Sequence, residues 1–152
     1  MAPAFFSITL GFSQPIIADN FHEQPILVEH NGDSFETICG IENLRVWNRL
    51  DELEKLQNGW DGEDSISIKK QIVEKLRNVL YQAKENDLKD WVLFPDAMGY
   101  LYLDYSKGST SAGITLLENT CHYFIMKNGT IEKGDNLLFS PENIISIVRR
   151  LQ

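Results

Sequence analysis

The sequence predicts an α+β fold in which helices pack on one face of an antiparallel sheet. Between residues 41 and 83, apolar residues recur every three or four positions, as they do on the buried face of a helix. Between residues 91 and 132 they alternate with polar residues, as they do in strands that bury one face. The connections between these strands are too short for parallel pairing, so we expect an antiparallel meander.

Three amphipathic helices are predicted around this sheet. The first covers residues 41–57 and ends at Asn58-Gly59, because glycine adopts the left-handed conformation that closes helices. The second covers 68–83, with Ser67 as its N-cap. The third begins at Ser140, where a capping serine is followed by proline and then by glutamate in the first turn.

The predicted strands cover residues 91–94, 99–105, 113–118, 121–127 and 130–132. Asn128-Gly129 is a hairpin signal, because both residues tolerate a positive φ. In the second strand we expect Leu101 and Leu103 to face the helices and Asp104 to face away. Residues 107–113 are rich in Ser and Gly and are interpreted as a flexible hairpin loop.

Charge divides the chain into a β-rich acidic arm at residues 1–40 and a core domain at 41–152. The arm contains five acidic residues and no Lys or Arg. Within it, Asn31-Gly32 lies between two apolar runs and predicts a hairpin.

The net charge of −8 argues against non-specific binding to nucleic acid or anionic membranes, which require a cationic face. No apolar run has the length of about 20 residues that a membrane span needs. Cys39 and Cys121 lie far apart without metal-ligand spacing, so we expect reduced core thiols and a cytoplasmic protein. The three histidines have no metal-binding spacing, and no cofactor or metal site is predicted.

No catalytic constellation emerges from the motifs. Gly108 and Gly113 have the spacing of a phosphate-binding loop, but Ile114 occupies the position that requires lysine. Cys121 and His122 are neighbours on a predicted strand, so their side chains point to opposite faces.

Two alternative functions stay open. A small hydrolase would use a carboxylate of the turn after the first helix or the one on the second strand: Asp61, Glu63 or Asp104. A ligand-binding module would instead have a pocket between sheet and helices lined by three tyrosines, Tyr100, Tyr102 and Tyr123.

The most distinctive motif is the joint between the first two helices, Gly59-Trp60-Asp61-Gly62. We expect Trp60 to fill the gap between the helices, so that truncating it to Ala costs roughly 3–5 kcal/mol. We expect the Asp61 carboxylate to accept backbone hydrogen bonds in the turn, at a cost of about 0.5–2 kcal/mol when it is removed.

This joint, the second helix and the later strand Leu101–Tyr105, which includes Asp104, resemble a group of small uncharacterised bacterial proteins. The resemblance covers about residues 41–135 and implies an accessory bacterial protein without assigned chemistry. The chain differs from the family pattern at Glu63-Asp64-Ser65, where members have small residues, and at Tyr105, where they tend to have Trp. No catalytic residue can be transferred, so Gly59, Trp60, Asp61, Gly62, Asp104 and Tyr105 are candidates for structure or interaction.

The expected function is therefore a non-enzymatic interaction protein of antitoxin, immunity or adaptor type. Its expected partner is another protein, with a basic surface complementary to the acidic chain.

Overall fold

The structure is a computed structural model and describes residues 43–152. Its helices are α1 (Leu44–Leu53), α2 (Lys70–Gln82) and α3 (Pro141–Arg149). Its strands are β1 (Trp91–Pro95), β2 (Leu101–Lys107), β3 (Thr110–Leu116), β4 (Thr120–Lys127) and β5 (Thr130–Leu138). The predicted α+β fold is confirmed. The predictions for the acidic arm, its hairpin and Cys39 concern residues outside the described range.

The five strands form one antiparallel meander in the order β1-β2-β3-β4-β5. Their order in space is their order in the chain, so each connection is a hairpin, as the short connections predicted. Asn128 and Gly129 both have positive φ, 51° and 79°, in the turn between β4 and β5. Two successive positive φ values are the signature of a type I′ turn, so this hairpin prediction is confirmed.

The strands are longer than the sequence pattern predicted. Residues 107–113, interpreted as a loop, are mostly paired, since Lys107 lies opposite Thr110 and Ser106 opposite Ser111. The turn itself is only Gly108 and Ser109. Small hydroxyl residues resemble loop residues in composition, but Thr and Ser also fit a strand when a neighbouring strand supplies the hydrogen bonds.

Both ends of the segment between α1 and α2 differ from prediction. α1 ends at Leu53, four residues earlier than expected, and α2 begins at Lys70 with no side-chain cap. The prediction of Ser67 as N-cap is therefore wrong. The Ile66 N–H donates to Ala97 O and the Lys69 N–H to Gly99 O. These bonds hold the segment extended against the β1–β2 turn, so α2 begins only at Lys70. The Ser140 cap of α3 is confirmed, because its Oγ accepts from Asn143 N.

All three helices cover the same face of the sheet. Leu101 and Leu103 are fully buried there, as predicted, and Leu103 lies directly opposite the buried Ile114 on β3. The helices contribute the other half of the core, with fully buried residues from each helix: Leu50, Ile72, Leu76 and Ile144.

An ion pair between a buried carboxylate and a partly exposed arginine joins the end of α3 to the segment between α2 and β1. Asp87 is 4% exposed and accepts three hydrogen bonds from the Arg149 guanidinium at 2.7–3.2 Å. Its Oδ2 also accepts from the Lys84 N–H at 2.8 Å. Burial alone would raise the pKa of the Asp87 carboxyl, but Arg149 and the Lys84 amide together hold that pKa below its usual value.

We expect Asp87→Ala to lower the free energy of unfolding at pH 7 by about 1.5–3 kcal/mol, the range for hydrogen bonds to a charged group. Because the pKa of Asp87 is lowered in the folded state, its contribution is present above pH ~4 and is lost as the pH falls further. Urea unfolding at pH 7 and pH 3 checks this. A difference between wild type and Asp87→Ala that does not shrink at pH 3 would contradict it.

Candidate functional site

The candidate site is the face of the sheet that points away from the helices, which we call the open face. Side chains alternate along each strand, so the residues between the buried ones lie on this face. The open face consists of Val92, Phe94, Tyr102, Asp104, Ser106, Ser111, Gly113, Thr115, His122, Phe124, Met126, Ile131 and Lys133.

The open face exposes several large apolar side chains among its polar ones. In the described part of the chain, four of the nine exposed large apolar side chains lie on it. Val92 and Phe94 are 41% and 45% exposed, and Met126 and Ile131 are 39% and 57% exposed. Antiparallel sheets with one solvated face normally alternate apolar-in with polar-out. An apolar face of this kind is typical of an interaction surface.

Strand register fixes how these side chains are arranged. One row crosses all five strands, since Val92 lies opposite Asp104, Asp104 opposite Gly113, Gly113 opposite Phe124 and Phe124 opposite Lys133. The row therefore has apolar side chains on β1 and β4, a glycine at its centre and charged groups between and beyond them.

Gly113 lets two aromatic rings close over the centre of the open face. A Cβ on this residue would collide with the Tyr102 hydroxyl and would lie 2.6 Å from Phe124 Cε1. Glycine is thus required for close packing and not for an unusual backbone angle. Burial, and then the negative charge of Asp104, raise the pKa of the Tyr102 hydroxyl. Tyr102 therefore stays neutral at physiological pH and acts as a covering ring.

A shallow groove of about 420 Å³ lies beside these rings on β3, β4 and β5. We call it the apolar groove; its lining residues are Gly113, Thr115, His122, Tyr123, Phe124, Met126, Ile131, Lys133 and Asp135. At its polar rim, His122 Nδ1 lies 3.2 Å from Asp135 Oδ1. The groove is open to solvent and pairs an apolar floor with a few charged groups, which suits a protruding side chain of another protein.

Cys121 and His122 point to opposite faces of β4, as the sequence predicted, so they do not form a Cys–His dyad. Cys121 is fully buried on the helix side of β4, whereas His122 lies on the open face. Burial raises the pKa of the Cys121 thiol to about 11, so this thiol is protonated at neutral pH. A protonated, buried thiol is a core residue and not a nucleophile.

The carboxylates of the hydrolase alternative are not brought together into one site. Asp61 and Glu63 are exposed in the joint between α1 and α2, whereas Asp104 lies in the central row of the open face. Tyr105, next to Asp104, is 7% exposed and packs against Trp91 with ring centroids 5.4 Å apart. Tyr105 therefore belongs to the core.

The three tyrosines of the ligand-binding alternative do not line one pocket. Tyr102 is on the open face, but Tyr100 and Tyr123 pack against the core on the helix side. The Tyr100 ring is covered by the Lys69 ammonium at 4.2 Å, and the Tyr123 hydroxyl donates to Glu132. Tyr102 lies opposite Thr115, and Thr115 lies opposite His122, so Tyr123, the next residue after His122, is on the other face of the sheet.

The joint is a tight turn whose polar anchor is Ser65. Gly59 and Gly62 have positive φ, 86° and 117°, which supports the expected role of both glycines. Ser65 is buried, and its Oγ accepts from the Asp61 N–H at 2.9 Å and donates to Gly62 O at 2.8 Å. Asp61 itself is exposed, so the prediction that its carboxylate anchors the turn is wrong.

Trp60 also differs from prediction. Its ring is only partly buried and lies outside the apolar core, and its indole N–H donates to Ile66 O at 3.0 Å. The helix end at Leu53 leaves six residues before Trp60, so the ring covers the extended segment after the turn instead of the gap between helices.

Comparisons with known proteins add no relative. No family model matches the chain, and no curated protein or solved structure matches it. The family resemblance of the joint therefore stays a prediction.

None of the helices in residues 43–152 is long and apolar enough to cross a membrane. Within the same residues, no group of three or more His, Cys, Asp or Glu side chains is arranged to hold a metal ion.

We expect Ser65→Ala to lower the free energy of unfolding by about 0.5–2 kcal/mol, because it removes the acceptor for the Asp61 N–H. Asp61→Ala should change it by less than about 0.5 kcal/mol, as at other exposed positions. Trp60→Ala should cost about 1–2 kcal/mol, less than a core tryptophan, since the ring is partly exposed. Chemical unfolding of the three variants checks the order. A loss for Asp61→Ala larger than for Ser65→Ala would restore the original interpretation.

Proposed function

We propose that this protein is a non-enzymatic bacterial interaction protein, of antitoxin, immunity or adaptor type, which binds another protein in its apolar groove. The observation that supports the proposal best is the exposure of Met126 and Ile131, which face each other across β4 and β5 and both line the groove. Adjacent exposed apolar side chains that form a contiguous patch rimmed by polar residues are typical of a protein interaction site.

The shape of the groove favours a protein partner over a small ligand. Small-molecule sites bury most of the surface of their ligand in a concave, enclosed pocket. The apolar groove instead continues into a flat sheet face, on which Phe94 and Val92 are exposed as well. A flat surface with an apolar centre and charged rim matches the anatomy of a protein–protein interface.

The hydrolase alternative has less support because Asp61 and Glu63 are exposed in the joint and Asp104 lies apart from them on the open face. Acid–base catalysis on one substrate requires groups within hydrogen-bond reach of the same reacting atoms. Asp104 lies beside Tyr102, where its negative charge raises the pKa of the phenol. That contact gives Asp104 a structural role at the centre of the sheet.

Charge supports a basic partner. The chain carries a net charge of −8, and its first 42 residues contain six acidic residues and no Lys or Arg. At the groove itself, Asp135 forms part of the rim next to His122. Complementary charge mainly speeds association and excludes wrong partners, while the apolar contacts supply affinity. A cytoplasmic location remains part of the proposal and is supported by the burial of the Cys121 thiol in the core.

We expect a photo-crosslinking amino acid at position 131 of the full chain to give a discrete protein adduct in a native bacterial lysate. The matched control is the same amino acid at position 98, because Met98 is 61% exposed but lies in the β1–β2 turn away from the groove. The adduct at 131 should disappear when Met126→Asp is added, and it should weaken as salt is raised.

Equal adducts from positions 131 and 98 would show non-specific capture and contradict the proposal. The hydrolase alternative predicts instead that Asp104→Asn abolishes function without affecting the adduct.

A further inference from the structure

We propose that a partner protein binds by adding an extended, net-basic strand antiparallel to the free edge of β5, with one apolar side chain of that strand in contact with the apolar groove. The edge site consists of residues 130–134. The inference rests on the proposed function, because it names how the partner of the groove binds. In this mode of recognition, main-chain hydrogen bonds supply affinity and alternate side chains supply specificity.

The two edges of the sheet differ in the described part of the chain. β1 is short and contains Pro95, and its Leu93 O already accepts from Arg49 Nε of α1 at 3.4 Å. β5 is nine residues long, and all but two of them are exposed. Among the described residues, only β4 pairs with β5, and this pairing is regular up to residue 134. A long, exposed edge strand presents unpaired backbone groups to which another strand can bind.

The hairpin turn decides which backbone groups of β5 point outward. Lys127 and Thr130 flank the two-residue turn and therefore form a hydrogen-bonded pair between β4 and β5. Hydrogen-bonded and non-hydrogen-bonded pairs alternate along an antiparallel ladder, so Ile131 and Lys133 direct their N–H and C=O groups away from β4. Within residues 43–152, no backbone hydrogen bond outside the sheet reaches either residue. Their N–H and C=O groups are therefore available to an added strand.

The same two residues line the apolar groove. Ile131 lies opposite Met126 and Lys133 opposite Phe124, and all four side chains are on the open face. Residues directly opposite each other in an antiparallel pair place their side chains on the same face. A strand bonded to Ile131 and Lys133 therefore extends the open face, and its residue opposite Ile131 contacts the groove.

The charges along β5 specify the chemistry of the added strand. Glu132 lies between the two groove residues, on the helix side of β5. Its Oε1 accepts from the Tyr123 hydroxyl and from Arg150, which leaves Oε2 to accept from a basic side chain. Lys133 is exposed and suits an acidic side chain. The added strand therefore has apolar, basic and acidic residues opposite Ile131, Glu132 and Lys133, and the net charge of −8 favours a strand that is basic overall.

The same charges disfavour pairing between two copies of β5. In the two-fold register that places Ile131 opposite Lys133, Glu132 lies opposite its own equivalent. In the next register, Lys133 lies opposite its own equivalent. Like charges directly opposite each other destabilise a strand pair. The register centred on Ile131 avoids both contacts but pairs only residues 129–133, because the hairpin turn ends the strand. A different protein therefore fits this edge better than a second copy does.

The test uses the full chain and a designed peptide, acetyl-Lys-Thr-Glu-Lys-Ile-Thr-Lys-amide, whose Glu, central Lys and Ile match Lys133, Glu132 and Ile131. We expect this peptide to bind with a Kd below about 1 mM. At a peptide concentration of about ten times Kd, amide hydrogen exchange of Ile131 and Lys133 should slow about tenfold. Exchange of Leu93, on the β1 edge, should not change.

N-methylation of the peptide separates strand pairing from side-chain docking. The Ile of the peptide directs its N–H toward β5, so a methyl group on that nitrogen should raise Kd by about tenfold or more. The central Lys directs its N–H away from β5, so the same methyl group there should change Kd by less than about twofold. Equal effects of the two methyl groups, or a Kd of the unmodified peptide above about 1 mM, would overturn the inference.

A pair of variants makes the same comparison in the chain. Lys133→Pro removes the outward N–H, which an edge strand tolerates, and should abolish both peptide binding and the crosslinked adduct from position 131. Lys133→Thr keeps the N–H and should preserve both. Chemical unfolding shows whether the variants fold, and the N-methyl comparison decides the inference even if Lys133→Pro does not. An adduct that survives in folded Lys133→Pro would overturn the inference and leave the proposed function intact. Equal adducts from positions 131 and 98 would overturn the proposed function itself.

Hydrogen exchange without peptide identifies other occupants of the edge. Protection of Ile131 and Lys133 that increases with protein concentration would show a second copy there. Protection that is independent of concentration would show that the edge is already occupied within the chain. Either result would overturn the inference, which predicts fast exchange of both amides in the free protein.

Discussion

The structure depends on one packed layer, in which the inward side chains of β2 and β3 meet the helices. Leu103 and Ile114 lie opposite each other at its centre, and both are fully buried. Since strand side chains alternate, fixing these two residues inward also fixes Tyr102, Asp104, Gly113 and their neighbours outward. All three helices lie on the inward side, so the described chain leaves the outward side without a covering layer.

That arrangement explains why the open face and not the most distinctive motif is the candidate site. The joint with Trp60 is held by local hydrogen bonds, from Trp60 Nε1 to Ile66 O and from the Asp61 N–H to Ser65 Oγ. It joins α1 to α2, and the segment after it bonds to the β1–β2 turn. The open face instead exposes Phe94 and Ile131, whose burial by a partner would be favourable at about 25 cal/mol per Å².

Periodicity in the sequence predicted the fold class, the order of elements and the inward face of β2, because these follow from local alternation. It failed where tertiary hydrogen bonds decide. Residues 66–69 stay extended because Ala97 and Gly99 accept their N–H groups, and residues 110–113 join β3 because β2 pairs with them. The open face was missed as a site, although Val92, Phe94, Phe124 and Met126 alternate with the inward residues and signal a second apolar face.

If the inner face of the sheet serves stability and the outer face is free to bind a partner, the same substitution should affect folding very differently on the two faces. Ile114 is fully buried and Ile131 is 57% exposed, so the same substitution at each gives the most direct test. We expect Ile114→Asp to cost more than about 4 kcal/mol and to unfold the protein, whereas Ile131→Asp should change the free energy of unfolding by less than about 1 kcal/mol. Similar losses for both variants in chemical unfolding would contradict it.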